Sequence, residues 1–369
     1  MCIRDRFEDV GQWKRPYYFP QKKEDIHQAV KRECLAVRNS LGILDASTLG
    51  KIDLQGPDAA KFLNMIYTNA WSKLEIGSCR YGLMCNEHGM IFDDGVTSRL
   101  GENHYHMTTT TGGAARVMSW LEEFLQTEWL DMKVFCTSVT EQWAVLSISG
   151  PNSREFLKDL TNIDLSKENF PFMKFREGEV CGVKARVFRI SFTGELSYEV
   201  NVPARYGRYV WEKFMEHGKK YNITPYGTET MHVLRAEKGF IIVGQDTDGS
   251  VTPSDMNMDW IVSKKKEDFL GKRSFTRPDT VRHDRKKFVG LLVNDKKTIL
   301  PEGSHIVEKA LKQPPMKMLG HVTSSYYSPT LGYPIALAML KDGFSKMGEQ
   351  VVVPLMNGKI IEATVTDTI

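Results

Sequence analysis

The sequence predicts an α+β fold with two similar halves and a further domain of short strands. Its 369 residues exceed what one simple core needs, which indicates two or three domains. A strand, a Gly-Pro turn and a helix succeed one another at residues 51–63, and the same pattern returns at residues 145–157. From Phe288 onwards, short apolar strands alternate with glycine and proline, which is typical of a small β-barrel or sandwich. We therefore expect a duplicated α+β half and a separate β-domain.

The composition is that of a globular protein without a strongly charged surface. Hydrophobic residues make up 41% of the chain and charged residues 26%, and the formal net charge is +3. This balance gives no reason to expect nucleic acid or a membrane surface as a partner. The six cysteines include no CxxC pair, so a zinc or iron–sulfur site is not expected. Without a secretory segment or a bilayer-spanning apolar run, we expect a cytoplasmic protein, and we treat residues 1–6 as an unrelated leader.

The first half begins with an aromatic segment and a helix. Residues 7–20 are rich in aromatic residues and contain two prolines, which indicates an extended arm that packs elsewhere on the protein. Residues 13–19 of this arm are a candidate contact for a partner. Residues 22–41 have the pattern of a helix, and Gly42 ends it. In both Gly-Pro motifs we expect proline at the first helical position, where its fixed φ favours helix entry.

Two further features of the first half concern histidine and threonine. His104 and His106 alternate on a strand and therefore share one face. A metal would need a third or fourth ligand, and no candidate is evident, so a surface strand is expected. The threonine-rich run before Gly112-Gly113 indicates a helix that begins near Ala114.

The second half and the region after it show the remaining elements. In order, they are a hairpin over residues 183–202 that turns at Thr193-Gly194-Glu195, a helix over 205–217, a helix over 228–238 that ends at Gly239, and a charged linker over 277–287. We accordingly place one domain at residues 7–276 and a second at residues 285–369.

The candidate reactive groups lie in residues 80–95, which are predicted to form a strand, a turn and a second strand. The apolar run Met90-Ile91-Phe92 leads directly into Asp93-Asp94-Gly95. Asp-Gly is a strong turn signal, and local pattern favours a turn here. The alternative is a carboxylate carried inward, which must be held by donors or kept for chemistry because an unpaired buried charge is costly. The chain has neither GxGxxG nor GxxxxGK[ST], the usual signatures of flavin, nicotinamide or ATP sites.

Taken together, these motifs resemble the glycine-cleavage T-protein (aminomethyltransferase) family. Phe92-Asp93-Asp94 matches the family's apolar-Asp-Asp motif, and residues 192–199 match its Tyr-Thr-Gly-Glu-x-Gly-aromatic-Glu motif. Longer strings are similar to one branch, the carboxy-terminal folate domain of heterotetrameric sarcosine oxidase alpha subunits; they lie at residues 44–52, 137–143 and 234–249.

The resemblance implies a fold and an activity. The fold would be a T-protein cloverleaf, with two duplicated α+β lobes and a C-terminal β-barrel around a central folate channel. The activity would be one-carbon transfer, in which tetrahydrofolate captures the methylene of oxidised sarcosine to give 5,10-methylenetetrahydrofolate and glycine. The oxidising flavin is expected on partner subunits, the flavin-binding sarcosine oxidase subunits. Two alternatives stay open: a free-standing glycine-cleavage aminomethyltransferase, and a non-catalytic folate-binding regulatory protein.

The resemblance also assigns site residues. Asp93 matches the family's catalytic aspartate, and its neighbour Asp94 is expected to point to the opposite side and to support local hydrogen bonding. Glu199 matches the glutamate that binds the pterin ring, and Glu195 is a weaker candidate for that role. The other residues expected to line the folate cavity are Tyr81, Arg235 and Phe192. Phe192 stands where many members have tyrosine, so a hydroxyl contact is missing, and Ser197 replaces a glycine. No metal ligand is implied.

Overall fold

The computed structural model describes residues 6–368, so the leader proposed for residues 1–6 lies outside the described part except for Arg6. The chain divides into two compact units. The first contains the residues up to Met84 and Asp93–Met231, and the second contains Cys85–Phe92 and the residues from His232 onwards.

The described residues form six α-helices and nineteen strands, with short 3-10 turns between them. The helices are α1 (Ile26–Asn39), α2 (Ala59–Ile66), α3 (Ala114–Thr127), α4 (Ser153–Lys158), α5 (Gly207–His217) and α6 (Thr228–Ala236). The strands are β1 (Phe7–Val10), β2 (Trp13–Pro16), β3 (Gly42–Asp45), β4 (Gly50–Gln55), β5 (Cys79–Cys85), β6 (Ile91–Gly101), β7 (His104–Thr109), β8 (Phe135–Ser138), β9 (Trp143–Ser149), β10 (Phe175–Val180), β11 (Val183–Phe188), β12 (Ser197–Pro203), β13 (Thr224–Pro225), β14 (Lys286–Val293), β15 (His305–Val307), β16 (Met318–Ser328), β17 (Tyr333–Lys341), β18 (Gln350–Pro354) and β19 (Ile360–Thr366). None of these helices is long and apolar enough to cross a membrane.

The expected duplication is confirmed by two sheets with the same spatial order. One sheet runs β5-β6-β7-β4-β8, and the other runs β10-β11-β12-β9-β3-β13. In each sheet a Gly-Pro motif follows the fourth strand, β4 or β9, and leads into a helix, α2 or α4. The fifth place is taken by β8 in one sheet and by β3 in the other, and both are antiparallel to their neighbour. The apolar core of the second sheet includes Leu146, Ile148, Val200 and Phe214.

The glycines of the two Gly-Pro motifs have the same backbone conformation. Gly56 has φ +138° and Gly150 has φ +132°, which side-chain-bearing residues rarely adopt. A Cβ would lie 2.0 Å from the Lys133 carbonyl oxygen at the first site and 2.5 Å from that of Ser40 at the second. The prediction for the prolines is wrong: α2 and α4 begin two residues after them, at Ala59 and Ser153. Each proline lies instead in a tight turn, which the Ala59 amide closes on the Gly56 carbonyl and the Ser153 amide closes on the Gly150 carbonyl, both at 3.0 Å.

Several element boundaries differ from the prediction for identifiable reasons. Helix α1 begins at Ile26 because Asp25 and Gln28 form a reciprocal capping box. The aromatic arm starts as a hairpin of β1 and β2 that turns at Gly11, where φ is +61°. Helix α3 begins at Ala114 as predicted.

The predicted hairpin over residues 183–202 is present but opens into a wide loop. Strand β11 ends at Phe188 and β12 begins at Ser197, so residues 189–196 form a loop rather than the predicted tight turn. The Arg38 side chain at the end of α1 donates to the Thr193 carbonyl at 2.6 Å and to the Glu195 carboxylate at 2.9 Å. These bonds hold the loop on α1, a contact 155 residues away in sequence that local pattern does not reveal.

The second unit contains a closed six-stranded barrel, which confirms the predicted C-terminal β-barrel. The domain bounds 7–276 and 285–369 stay a prediction. The strand order of the barrel is β14-β17-β16-β15-β18-β19. Alternating apolar side chains fill the interior, among them Val289, Leu291, Ala338 and Val365. The β5–β6 turn also belongs to this unit, where the Ile91 amide donates to the Val251 carbonyl at 2.9 Å.

In the first unit, a fully buried carboxylate joins the arm to two helical segments. Glu33 of α1 is 0% exposed. Its oxygens accept hydrogen bonds from the Phe19 amide at 2.7 Å, the Gly227 amide at 3.0 Å and the Thr230 hydroxyl at 2.7 Å. Burial raises the pKa of this carboxyl, and the three donors oppose that rise.

We expect Glu33→Ala to lower the free energy of unfolding by about 3 kcal/mol, because three buried donors lose their acceptor. Urea denaturation followed by circular dichroism measures the change. Lys31→Ala, on the exposed face of the same helix, is the control and should change stability little. Equal stability of the two variants would contradict this role for Glu33.

Candidate active site

The first carboxylate of the Asp-Asp pair, Asp93, accepts three hydrogen bonds from neighbouring groups. Asp93–Gly95 lie inside β6, so the turn that local pattern favoured is wrong. The Asp93 side chain is 0% exposed. One oxygen accepts from the Asp94 amide at 2.8 Å and the Thr110 amide at 3.1 Å, and the other accepts from the Thr110 hydroxyl at 2.9 Å. Arg116 lies 3.9 Å from the second oxygen.

The chain folds this way locally because Thr110 and Gly113 leave room for Asp93 at the start of α3. The Thr110 hydroxyl donates to Asp93 and accepts from the Gly113 amide at 3.1 Å. A Cβ on Gly113 would lie 1.8 Å from a carboxylate oxygen of Asp93. Burial raises the pKa of Asp93, and the Thr110 amide is the largest opposing influence. Asp93 is therefore built into the junction of β6 and α3.

The second carboxylate of the pair has a different environment. Asp94 keeps part of its surface in contact with solvent. The Tyr81 hydroxyl of β5 donates to one of its oxygens at 2.6 Å. Burial raises the pKa of Asp94 to about 7, with the negative charge of Asp93 adding to the rise. A carboxyl with this pKa exchanges protons near neutral pH, which is the property required of a general acid or base.

A third carboxylate, Glu199, lies on β12 of the second sheet. It stands opposite Ser147 of β9 and is partly exposed. Within residues 6–368 the Glu199 carboxylate accepts no hydrogen bond from the protein. Burial raises its pKa to about 7, and the positive charge of Lys51 partly opposes that rise. An unpaired carboxylate in such surroundings is a typical ligand-binding group.

The other predicted site residues lie in the loop before β12 and in the second unit. Glu195 and Phe192 lie in the 189–196 loop, where Glu195 forms the ion pair with Arg38 at 2.9 Å. Arg235 belongs to the second unit and is 0% exposed. Its guanidinium donates to Asp246 at 2.5 Å, to the Phe240 carbonyl at 2.9 Å and to the Ser324 hydroxyl at 2.7 Å. The structure thus brings together Tyr81, Asp93 and Asp94 on the first sheet, and places Glu199 on the second.

Sequence reasoning missed Lys51 and misjudged the two histidines. Lys51 is 0% exposed within β4, and its only sequence signal is a lysine among apolar strand residues. His106 is 2% exposed, so the expected surface strand is wrong for it. His106 and His104 contact the two oxygens of Asp53, at 2.6 Å and 3.0 Å. Across residues 6–368, no group of three His, Cys, Asp or Glu side chains could hold a metal.

Comparisons with known proteins agree with this architecture. Residues 4–266 match the GCVT N-terminal domain, and residues 286–369 match the Glycine cleavage T-protein C-terminal barrel domain. The chain belongs to the glycine cleavage T-protein family. The crystal structure of glycine cleavage system aminomethyltransferase T from Bartonella henselae has the same fold, with a TM-score of 0.84 and 24% identity over 98% of this chain and 93% of that one.

The chain is also similar to curated relatives of two kinds. It is 55% identical over 368 residues to a sarcosine oxidase subunit alpha of Corynebacterium sp. (strain P-1). That match covers 99% of this chain but only 38% of the relative. It is 30% identical over 353 residues to an aminomethyltransferase of Listeria monocytogenes serotype 4a (strain HCC23), covering 95% of this chain and 90% of that protein.

The neighbouring glycines at the start of α3 provide a matched test of the Asp93 environment. Gly113→Ala places a methyl group against the Asp93 carboxylate, whereas a Cβ on Gly112 meets nothing within 4 Å. We expect Gly113→Ala to lose about 1–3 kcal/mol of stability, the usual result of overpacking, and Gly112→Ala to lose little. Chemical denaturation of both variants measures this difference, and similar stabilities would contradict the packing described for Asp93.

Proposed function

We propose that this chain is the folate-dependent, aminomethyltransferase-type part of a sarcosine oxidase alpha subunit. It would transfer the methylene of oxidised sarcosine to tetrahydrofolate, giving 5,10-methylenetetrahydrofolate and glycine. Support comes from membership of the T-protein family and from 55% identity with a sarcosine oxidase subunit alpha over 99% of the chain. The flavin-binding partner subunits and the cytoplasmic location belong to the same proposal. All five described cysteines are free thiols, which fits a reducing compartment.

The observation that carries this proposal is the unpaired carboxylate of Glu199. The edge of a pterin ring presents an amino group and ring N–H donors side by side. A carboxylate without protein donors suits that pattern, because it can accept two such bonds at once. Glu195 fits less well, since its carboxylate is engaged by Arg38. The residues present therefore fit tetrahydrofolate, with Glu199 binding the pterin. The central channel and the part played by Phe192 and Arg235 stay predictions.

The two adjacent aspartates would have separate tasks. When bound, tetrahydrofolate supplies the two nitrogens that receive the one-carbon unit. Asp94 is suited to take up the proton released in that transfer, because its pKa of about 7 lies near physiological pH and one oxygen is oriented by Tyr81. Asp93 has both oxygens engaged by Thr110 and the Asp94 amide. We therefore propose Asp94, rather than the sequence-predicted Asp93, as the catalytic carboxylate.

A second candidate function is that of a glycine-cleavage aminomethyltransferase. The specific observation in its favour is the match to the Listeria aminomethyltransferase, which this chain covers over 90% of its length. The donor distinguishes the two functions. Turnover with an aminomethylated carrier protein, and none with sarcosine and its oxidising partner, would favour the second.

Binding of tetrahydrofolate tests the proposed ligand. We expect Glu199→Gln to weaken binding roughly 10- to 100-fold, because hydrogen bonds to a charged group contribute about 1.5–3 kcal/mol. Isothermal titration calorimetry measures the dissociation constants. Glu195→Gln, in the loop that precedes β12, is the control and should bind nearly as the parent does. A larger loss for Glu195→Gln would instead support Glu195 as the glutamate that binds the pterin. Failure of the parent chain to bind tetrahydrofolate would contradict the proposed folate-dependent function.

Exchanging each aspartate in turn tests the catalytic assignment. In a sarcosine-oxidising complex that carries this chain, we expect Asp94→Asn to lower the yield of 5,10-methylenetetrahydrofolate relative to formaldehyde by roughly 100-fold or more, a typical general-base contribution. Folate binding should change little. Asp93→Asn keeps one acceptor oxygen for the Asp94 and Thr110 amides but places an amide donor against the Thr110 hydroxyl, so it should mainly reduce stability. Normal transfer by Asp94→Asn together with loss of transfer by Asp93→Asn would restore the assignment to Asp93.

A further inference from the structure

Lys51 is a buried cation whose hydrogen-bond partners are neutral backbone carbonyls. It lies in β4 with 0% of its surface exposed. Its ammonium donates to the carbonyl oxygens of Ser47 and Leu49, each at 2.8 Å. An ammonium has three N–H donors, and these two bonds use only two of them. Burying a charge without a counter-charge is costly, and two carbonyl bonds only partly offset that cost.

The counter-charges that act on Lys51 are carboxylates of the same unit. Burial lowers the pKa of Lys51 to about 8, and the negative charges of Glu199 and then Asp45 oppose that fall. In the other direction, Lys51 is the positive group that opposes the burial-driven rise in the pKa of Glu199. Each of these two groups therefore stabilises the charged form of the other.

The backbone places the turn that holds Lys51 against β9, the strand next to the one that carries Glu199. Glu199 of β12 pairs with Ser147 of β9, which pairs in turn with Leu44 of β3. After β3 the chain crosses to the first sheet through the turn that contains Ser47. That turn is fastened to β9, because the Val145 amide donates to the Ser47 hydroxyl at 2.9 Å and the Ala46 amide donates to the Val145 carbonyl at 2.9 Å. The carbonyls that hold Lys51 are thus anchored beside the strand next to Glu199.

We propose that Lys51 is a positioning residue for Glu199, whose buried positive charge keeps that carboxylate in the form that accepts hydrogen bonds from the ligand. This inference rests on the proposed function, because it assigns Glu199 to the pterin. It adds to that function the positive charge of Lys51, a residue that lies outside the sequence motifs assigned to the site.

Lys51 is the cation that acts on Glu199, although Arg186 lies on the neighbouring strand β11, where it forms an ion pair with Glu177 at 3.2 Å. Glu199 acts on Cys79 and Tyr226, but burial raises the pKa of each to about 12, so both are neutral at pH 7. The positive charge of Lys51 acts on His106, but burial is the main cause that lowers the pKa of this ring and keeps it neutral as well. Asp45 is negative and can only favour the charged form of Lys51.

The direct test follows the titration of Glu199 in the ligand-free chain, by NMR of protein labelled with ¹³C at glutamate side-chain carboxyls. Glu199→Gln assigns the signal. Lys51→Gln removes the charge but keeps two N–H donors for the carbonyls of Ser47 and Leu49. We expect it to raise the titration midpoint of Glu199 by about one pH unit, the size typical for loss of a nearby opposite charge. Lys184→Gln, an exposed lysine on β11, removes the same charge elsewhere and should leave the midpoint unchanged.

A reciprocal measurement covers the case in which Lys51→Gln fails to fold. In Glu199→Gln, ¹⁵N NMR of the lysine side chains should show the midpoint of Lys51 shifted downward. An unchanged Glu199 midpoint in folded Lys51→Gln, or an unchanged Lys51 midpoint in Glu199→Gln, would overturn the proposal.

The pH dependence of tetrahydrofolate binding separates this proposal from the proposed function. Because Glu199 must be ionised to accept two N–H donors, binding by the parent should weaken as pH falls below about 7, and in Lys51→Gln the weakening should begin at higher pH. Binding with an identical pH profile in both proteins would overturn the role of Lys51 alone. If the parent binds no tetrahydrofolate, the proposed function fails, and the ligand-free titrations still decide whether the two charges are coupled.

Discussion

Removing a carboxylate from water is the physical constraint around which the first unit is organised. Such a group must accept hydrogen bonds from the protein, take up a proton, or bind a ligand that supplies hydrogen-bond donors. Glu33 and Asp93 meet the first condition, with three hydrogen bonds each from neighbouring backbone and hydroxyl groups. Asp94 and Glu199 do not, and burial raises the pKa of each to about 7. The difference separates carboxylates that stabilise the fold from those available for chemistry.

The internal duplication shows how equivalent positions came to serve different purposes. Counting back from the two Gly-Pro motifs, the pair Asp53 and His106 in the first sheet corresponds to Ser147 and Glu199 in the second. In the first sheet the carboxylate and the imidazole satisfy each other at 2.6 Å. In the second, serine gives Glu199 no such partner. One copy of the repeat therefore has a closed polar contact where the other has an open carboxylate.

The sequence supported the architecture well because its signals are local. The repeated Gly-Pro motifs predicted the duplication, and short strands with glycine and proline predicted the barrel. The features that could not be predicted depend on contacts between residues far apart in the sequence. The two aspartates are indistinguishable by pattern, and only Thr110, seventeen residues further on, shows that Asp93 is engaged. Likewise, Arg38 binds the loop that replaces the predicted tight turn, and Asp53 is the buried partner of a histidine expected at the surface. Lys51 became significant only through its relation to Glu199 on another sheet.

A crystal structure of the chain with bound tetrahydrofolate is the most direct test of the roles of Glu199 and Asp94. We expect the Glu199 carboxylate to accept hydrogen bonds from the amino group and a ring N–H of the pterin. We also expect Asp94, rather than Asp93, to be the carboxylate nearest the two nitrogens that receive the one-carbon unit. A ligand bound without contact to Glu199, or one whose reactive nitrogens lie against Asp93, would contradict these roles.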